Sequence, residues 1–180
     1  MRLETERLIL RPFRDDDLPR IIAYGTVPEF YRYLPIETQT EETIRTFMKE
    51  RMADQRENSR TRVTFAIAPK ETDGIIGTVR LGVFDDAEGL ADIGYAMDLS
   101  CQGNGYMTEA VRKVMNFGFS ELSLSAIWAT VSKDNAKSWM LLERLGMTRV
   151  AVPPESLREV GGPENDYVYQ TSSAKFSMAN

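Results

Sequence analysis

The stretch Ala91-Asp-Ile-Gly-Tyr-Ala-Met-Asp-Leu-Ser-Cys-Gln-Gly-Asn-Gly-Tyr-Met-Thr-Glu-Ala110 decides the fold of this chain. Its first half has the composition of a β-strand, and a helix is predicted to begin directly after the Gly-Asn-Gly turn at residues 103–105. The first backbone N–H groups of a helix have no partner inside it, and the helix dipole adds positive potential there. The order strand, glycine turn and helix therefore predicts a site for an anion, with phosphate as the favoured ligand.

The glycine turn by itself also fits an ordinary tight turn, and both interpretations stay open at this point. The pattern does not match the Gly-x-Gly-x-x-Gly fingerprint of dinucleotide-binding proteins, because Thr108 occupies the position of the third glycine. Nor does the turn end in the Gly-Lys-Ser/Thr of a nucleotide P-loop. A nucleotide-phosphate site of some other fold remains an alternative.

The bulk composition narrows the class of protein. With 180 residues, 42% hydrophobic and 27% charged, the chain has the size and composition of one globular domain. A net charge of −5 without any Lys/Arg-rich run argues against nucleic-acid binding and fits a cationic substrate. No signal peptide and no membrane span is expected. The single cysteine, Cys101, is consistent with a cytoplasmic protein, and a homodimer is left open.

The sequence contains no histidine, which restricts the chemistry available to it. Catalysis by Ser-His-Asp or Cys-His groups is excluded, and so is every histidine-based metal site. Only an all-oxygen metal site would remain, and no calcium-loop spacing is present, so no metal is predicted. Acid–base chemistry must therefore use carboxylates, hydroxyls, backbone groups or water.

The hydrophobic pattern predicts the order β-α-α-β-β-β-α-β-α-β-β. Strands are expected at residues 6–13, 63–68, 74–84, 91–98, 125–132, 147–152 and 167–171, and helices at 15–25, 41–53, 105–119 and 135–144. No repeat or linker divides the chain, so a single domain over residues 1–180 is predicted. This order favours an α/β (mixed α+β) fold, with one mixed sheet and helices on both faces, over the doubly wound dinucleotide fold.

Three blocks of the sequence resemble one enzyme family. Residues 102–110 are similar to the acetyl-coenzyme A loop of the GNAT N-acetyltransferases, whose pattern is Arg/Gln-x-x-Gly-x-Gly/Ala. The continuation Gly-Tyr-x-Thr-Glu-Ala is typical of the subfamily that resembles ribosomal-protein N-terminal acetyltransferases. Residues 135–147 look like the family's Asn-x-x-Ser…Leu-Gly-Phe segment, and residues 5–11 resemble its first strand.

The resemblance implies a GNAT-like fold, with a mostly antiparallel twisted sheet of about six or seven strands and about four helices. It also implies acetyl-coenzyme A as cosubstrate. Backbone N–H groups of the loop would hold the pyrophosphate, the end of the preceding strand would pair with the pantetheine arm, and Met97 N–H would stabilise the oxyanion. Asn135 would hold the cofactor from the other side. The implied cofactor residues are Met97, Leu99, Gln102, Gly103, Asn104, Gly105, Tyr106, Met107 and Asn135.

Some of these residues also have purely structural interpretations. Asn135 fits a helix N-cap, and the side chain of Met97 fits the hydrophobic core. Glu109 lies in the first turn of the predicted helix, where a structural role is favoured. An acetylated Cys101 intermediate is disfavoured because no histidine or clear basic neighbour activates the thiol.

Two catalytic residues are candidates. Many GNAT enzymes have a tyrosine where this chain has Leu142, so Ser138 is the nearest hydroxyl that could protonate the departing thiolate. The alternative for Ser138 is a local hydrogen bond at the helix start. Asp92, on the strand beside the implied cofactor, is the candidate base, where family members often carry a glutamate. The alternative for Asp92 is a solvated strand residue.

The function implied is direct transfer of an acetyl group to a primary amine within a ternary complex. The acceptor is expected between the aromatic residues 30–34 and the loop 153–165. The resemblance favours a protein N-terminus over a small-molecule amine as the acceptor. Deprotonating an α-amine with a pKa near 8 at pH 7 costs only about 1 kcal/mol, against about 4–5 kcal/mol for a lysine-like amine. A non-catalytic coenzyme A-binding sensor or interaction module is the alternative.

Overall fold

The computed structural model describes residues 1–57, 62–85, 87–151 and 166–179. These residues form one eight-stranded sheet and five α-helices. The strands are β1 Leu3–Glu4, β2 Leu8–Arg11, β3 Arg62–Pro69, β4 Gly77–Asp85, β5 Leu90–Met97, β6 Ala126–Val131, β7 Thr148–Val150 and β8 Tyr167–Ser172. The helices are α1 Leu18–Gly25, α2 Glu41–Glu57, α3 Tyr106–Glu121, α4 Ala136–Arg144 and α5 Ser173–Ala179.

The spatial order of the strands is β1-β2-β3-β4-β5-β6-β8-β7, and only the β5–β6 pair is parallel. The predicted mixed, mostly antiparallel sheet is therefore confirmed. One strand more than expected is present because the two-residue β1 is too short to show an alternating pattern. The seven-residue α5 was not predicted either.

Helices cover both faces of the sheet, as predicted. One face packs against α3 and α4, whose apolar residues share a core with β3, β4 and β5. The other face carries a smaller core under α1 and α2, which includes Ile21, Ile44 and Ala66. No helix in the described part of the chain is long and apolar enough to cross a membrane.

The start of α1 is organised by a buried ion pair. Residues 15–17 form a 3₁₀ turn rather than the first turn of the α-helix. Asp17 Oδ1 accepts a hydrogen bond from Arg11 Nη2 at 2.7 Å, and both side chains are almost completely buried. Asp17 Oδ2 also accepts a hydrogen bond from the Arg14 backbone N–H at 2.9 Å, so this carboxylate caps the 3₁₀ turn and neutralises an arginine in the core.

The two central strands separate at one end of the sheet. β5 and β6 pair in parallel from Leu90 and Ala126 only as far as Asp92 and Trp128. Beyond this point β5 continues to Met97 and stays paired with β4, but it no longer pairs with β6. The separation opens a gap between β5 and β6 in the middle of the sheet, along the end of β5 that is expected to pair with the pantetheine arm.

Candidate active site

The glycine turn leads into α3 in the way that the sequence predicts. Gly103 and Gly105 have φ angles of +86° and +77°, a left-handed conformation that residues with a Cβ rarely adopt. Gly105 is the N-cap of α3 and, having no side chain, contributes no capping hydrogen bond. The helix N-terminus is therefore left open in front of the turn.

Side chains hold this turn from behind. Arg7 Nη1 donates to Asn104 O at 2.9 Å, and Asn104 Nδ2 donates to Cys101 O at 3.1 Å. Of the predicted donors from Gln102 to Met107, the Gln102 N–H is not free, because it donates to Leu99 O at 3.3 Å. The backbone N–H groups from Gly103 to Thr108 have no acceptor among the described residues. A fixed row of free donors at a helix N-terminus is suited to binding an anionic oxygen group.

Glu109 has the structural role that the sequence favours. Its Oε1 accepts hydrogen bonds from Thr5 Oγ1 at 2.5 Å and from the Arg7 backbone N–H at 2.9 Å. Its Oε2 accepts from Arg7 Nε at 2.7 Å. Burial raises the pKa of Glu109, but the hydrogen bonds from Thr5 and Arg7 outweigh it and hold the pKa below its usual value. This carboxylate fastens α3 to the N-terminal strands.

The open edge of β5 carries the predicted oxyanion donor. Asp98 N–H donates to Ile76 O at 2.9 Å, on the side of β5 that faces β4. Because backbone groups alternate along a strand, the N–H groups of Tyr95 and Met97 point to the opposite edge, where β6 has separated. The side chain of Met97 is buried in the core, in agreement with its structural interpretation. The Met97 side chain therefore lies in the core, whereas its backbone N–H faces the gap.

A cleft of about 710 Å³ lies next to this gap. Of the predicted site residues, Asp92, Ser138 and Asn135 line it. The aromatic residues 30–34 line it as well, in the position predicted for one wall of the acceptor site. The second predicted wall, residues 153–165, lies outside the described residues. The remaining predicted cofactor residues, Met97, Leu99 and Gln102 to Met107, are not part of the cleft lining.

Asp92 is held by an arginine that the sequence analysis did not single out. Arg80 donates from Nη1 to Asp92 Oδ1 at 3.0 Å and from Nη2 to Asp92 Oδ2 at 2.5 Å. A Cβ on Gly82 would come within 2.7 Å of Asp92 Oδ1, so this pair depends on a glycine in the neighbouring strand. The solvated interpretation of Asp92 does not fit, because only 9% of the residue is exposed.

Ser138 has a hydroxyl partner that the sequence analysis also missed. Tyr95 Oη and Ser138 Oγ lie 2.8 Å apart, which joins β5 to α4 across the gap between the strands. Burial raises the pKa of Tyr95 to about 12, against a smaller opposing effect of the Ser138 hydrogen bond. Tyr95 is therefore protonated at neutral pH. Leu142 is fully buried and supplies only apolar surface.

Asn135 connects α4 to the cleft, and Lys137 connects the same helix to the glycine turn. Asn135 Oδ1 accepts a hydrogen bond from Ser138 N at 3.2 Å, so the residue is the N-cap of α4 while it also lines the cleft. Lys137 Nζ donates to Gln102 Oε1 at 3.1 Å. This contact brings a lysine ammonium close to the row of free N–H groups.

Cys101 lies outside the cleft lining, on the short turn after β5. Arg20 Nη2 is 3.9 Å from Cys101 Sγ and forms a hydrogen-bonded ion pair with Asp98. The described residues contain no group of three or more acidic or cysteine side chains that could hold a metal ion.

The sequence of residues 7–148 matches the acetyltransferase (GNAT) domain. The chain belongs to the GNAT acetyltransferase family. The N-acetyltransferase p20 of Bacillus licheniformis is 34% identical to this GNAT acetyltransferase over 148 residues, which cover 82% of each chain. The N-acetyltransferase YoaA of Bacillus subtilis is 32% identical over 167 residues, 93% of this chain and 94% of the relative. The predicted family and its transferase activity are therefore confirmed.

Solved structures share the fold of this GNAT acetyltransferase. A GNAT-family acetyltransferase from Bacillus anthracis has a TM-score of 0.80 at 24% identity, covering 97% of this chain and 99% of the other. A Vibrio cholerae protein described as a ribosomal-protein-serine acetyltransferase has a TM-score of 0.77 at 20% identity, covering 96% and 97%. The spermidine N-acetyltransferase of Vibrio cholerae, solved with coenzyme A and spermine, has a TM-score of 0.75 at 17% identity, covering 96% and 99%.

Proposed function

We propose that this GNAT acetyltransferase, as a single domain over residues 1–180, transfers the acetyl group of acetyl-coenzyme A directly to a primary amine in a ternary complex. The observation that carries the proposal is the separation of β5 from β6 after Asp92 and Trp128. It leaves the N–H groups of Tyr95 and Met97 directed into a gap that lies beside a cleft large enough for a small acceptor. Cofactor and amine thereby reach the same point from two sides, which favours transfer without a covalent enzyme intermediate.

The residues present fit coenzyme A. The free N–H groups from Gly103 to Thr108 are suited to a pyrophosphate, and the lysine beside Gln102 adds a positive charge. The open edge of β5 can pair with an extended arm that contains amides. When bound, acetyl-coenzyme A supplies the activated thioester. Met97 N–H is then the donor that stabilises the negative charge developing on the thioester oxygen.

Asp92 is the proposed acceptor of the proton from the amine. Its two oxygens each accept one hydrogen bond from Arg80, and each keeps a free acceptor site. The bidentate contact fixes the orientation of the carboxylate in the cleft. For an amine with a pKa near 8, about 1 kcal/mol suffices to deprotonate it at pH 7, so a weak base acting directly or through water is adequate.

Ser138 is the proposed donor of a proton to the departing thiolate. Its hydroxyl lies on the cleft and is hydrogen-bonded to Tyr95. Because Tyr95 stays protonated far above neutral pH, its O–H can donate to Ser138 Oγ and leave the serine proton directed at the cleft. As Ser138 Oγ gives its proton to the thiolate it takes the proton of Tyr95 Oη, and Tyr95 recovers a proton from solvent, so the pair takes the place of the tyrosine that many GNAT enzymes have at the position of Leu142.

The proposed acceptor is a protein N-terminal α-amine or a small-molecule amine. The test is thiol release from acetyl-coenzyme A with a panel of peptides and small amines, combined with calorimetric titration of coenzyme A. Turnover with at least one amine supports the proposal. Tight coenzyme A binding without turnover on any amine would instead favour the sensor or interaction module.

A further inference from the structure

We infer that the amine acceptor carries a carboxylate, and that Arg80 and Arg62 bind it on the floor of the cleft. The inference rests on the proposed function, since it specifies the acceptor of that same site. It follows from the charges, the free donors and the strand register around the cleft.

The charged side chains along the cleft are mainly arginines. The lining includes four arginines and two aspartates: Arg32, Arg51, Arg62, Arg80, Asp92 and Asp166. Asp92 is occupied by Arg80, and Arg32 pairs with Glu29 at 2.9 Å. Asp166 precedes β8, beside the end of β6, and not on the floor formed by β3, β4 and β5. The floor therefore has more positive than negative charge, although the whole chain has a net charge of −5.

The strand register places the floor arginines next to each other. Arg62 of β3 pairs with Gly82 of β4, and Gly82 pairs with Asp92 of β5. Arg80 is two residues from Gly82 on β4, and it pairs with Gly94 on β5. All of these residues therefore point to the same face of the sheet. The two glycines make room for the Arg80 guanidinium and the Asp92 carboxylate, because a Cβ at either glycine would come within 3.0 Å of one of these groups.

Arg80 keeps donors after it has bound Asp92. A guanidinium has five N–H hydrogens, and the two bonds to Asp92 use one on Nη1 and one on Nη2. The other three have no acceptor among the described residues. A Cβ at Gly94 would be 3.0 Å from Arg80 Nε, so the guanidinium lies directly over this glycine, and 36% of the Arg80 side chain is exposed. An anionic oxygen is the partner that such donors favour.

The rest of the floor is also able to hold a carboxylate. Arg62 is exposed and has no ion pair within the described ranges. The hydroxyls of Thr64 and Thr78 line the cleft and have no hydrogen-bond partner in the described part of the chain. The rim carries the exposed side chains of Tyr33, Ile36 and Phe47, and the rings of Tyr33 and Phe47 lie against the guanidinium groups of Arg32 and Arg51. The floor supplies the free donors of Arg62 and Arg80 together with the two threonine hydroxyls.

The experiment compares acceptors that differ only in one carboxylate. Thiol release is measured with peptides that begin with Asp or Glu against the same peptides that begin with Asn or Gln. Free amino acids are compared with their carboxamides, and each rate is corrected for the fraction of the amine that is unprotonated. Spermine is included as a cationic acceptor. The peptide and amino-acid arms distinguish a side-chain carboxylate from an α-carboxylate. Each series is repeated with Arg62→Gln and with Arg45→Gln, a control on α2 outside the cleft lining.

The expected result is a preference in kcat/KM of about tenfold or more for the carboxylate in at least one arm, because hydrogen bonds to charged groups are the stronger ones. Arg62→Gln lowers this preference several-fold, and Arg45→Gln leaves it unchanged. Equal or better turnover of carboxamides or spermine overturns the inference and leaves the proposed function standing. Absence of thiol release with every amine, while coenzyme A still binds, overturns both.

Discussion

The hydrogen bond between Tyr95 and Ser138 allows the proposed proton donor to be tested quantitatively. The perturbation is the set Ser138→Ala, Tyr95→Phe and the double variant. The two oxygens lie 2.8 Å apart and both residues are half-buried, so a net stabilisation of about 0.5–1.5 kcal/mol is expected from this bond. The double variant should therefore cost less than the sum of the two single variants by about that amount.

The catalytic effect follows from the pKa of the leaving group. A thiol has a pKa near 8.5, so at pH 7 a proton donor can contribute at most about 2 kcal/mol, or roughly 30-fold in rate. This advantage disappears as the pH rises past the pKa of the thiol, because the thiolate is then stable without a proton. Ser138→Ala should lower kcat by up to about 30-fold at pH 7 and approach the wild-type value near pH 9. Tyr95→Phe should show the same trend with a smaller loss.

The assay is acetyl transfer under single-turnover conditions between pH 6.5 and 9.5, so that product release does not hide the chemical step. Denaturant unfolding of the same four proteins gives the free energies for the cycle. Ser120→Ala, a serine on α3 outside the cleft lining, is the matched control. A loss that stays constant over this pH range, or no loss at all, would refute Ser138 as the donor and leave it a helix-start hydroxyl.

Three further predictions concern the base, the glycine turn and the anchoring carboxylate. Asp92→Asn should lower kcat/KM at least tenfold and steepen its fall below neutral pH; unchanged kinetics, with an unchanged melting temperature, would dismiss Asp92 as the base. Gly103→Ala should weaken coenzyme A binding, measured by calorimetry, about 5- to 30-fold, because an alanine at a φ of +86° costs about 1–2 kcal/mol. Gly74→Ala is the control, since Gly74 does not have a positive φ. Glu109→Gln should destabilise the protein at neutral pH. Because the pKa of Glu109 is lower in the folded state, its contribution to the free energy of unfolding is present above the unfolded pKa of about 4.3. That contribution is lost as the pH falls through the lower folded pKa. Equal unfolding free energies of wild type and variant at pH 7 would contradict this prediction.

The sequence allowed the strand, glycine turn and helix around residues 91–110 to be predicted because each depends on neighbouring residues. Left-handed φ angles at Gly103 and Gly105 follow from the two glycines, and the buried face of α3 follows from its apolar spacing. The first-turn position of Glu109 already favoured a structural role. Its partners, Thr5 and Arg7, lie about a hundred residues earlier in the chain, at a distance that no local pattern reports.

The chemical partners in the cleft could not be predicted in this way. Arg80 reaches Asp92 because the β4–β5 register places it beside Gly94 and diagonal to the carboxylate. Tyr95 and Ser138 are 43 residues apart and meet only because β6 separates from β5 while α4 packs beside the gap. In the sequence, Arg80 is recognisable only as a polar residue between apolar residues of β4. This pattern is equally typical of an exposed strand position.

By itself, the sequence therefore determined the mixed sheet with helices on both faces and the glycine turn at the start of α3, and its motifs indicated the family by resemblance. Chain-local properties are sufficient for the sheet, the helices and the turn: side-chain periodicity, glycine conformations and the free donors of a helix N-terminus. Only the tertiary structure decided which edge of β5 is open, which side chains hold Asp92 and Ser138, and that the cleft of an acidic chain has arginines on its floor. These features depend on strand register and on packing between distant segments, because those alone determine which side chains meet across the sheet.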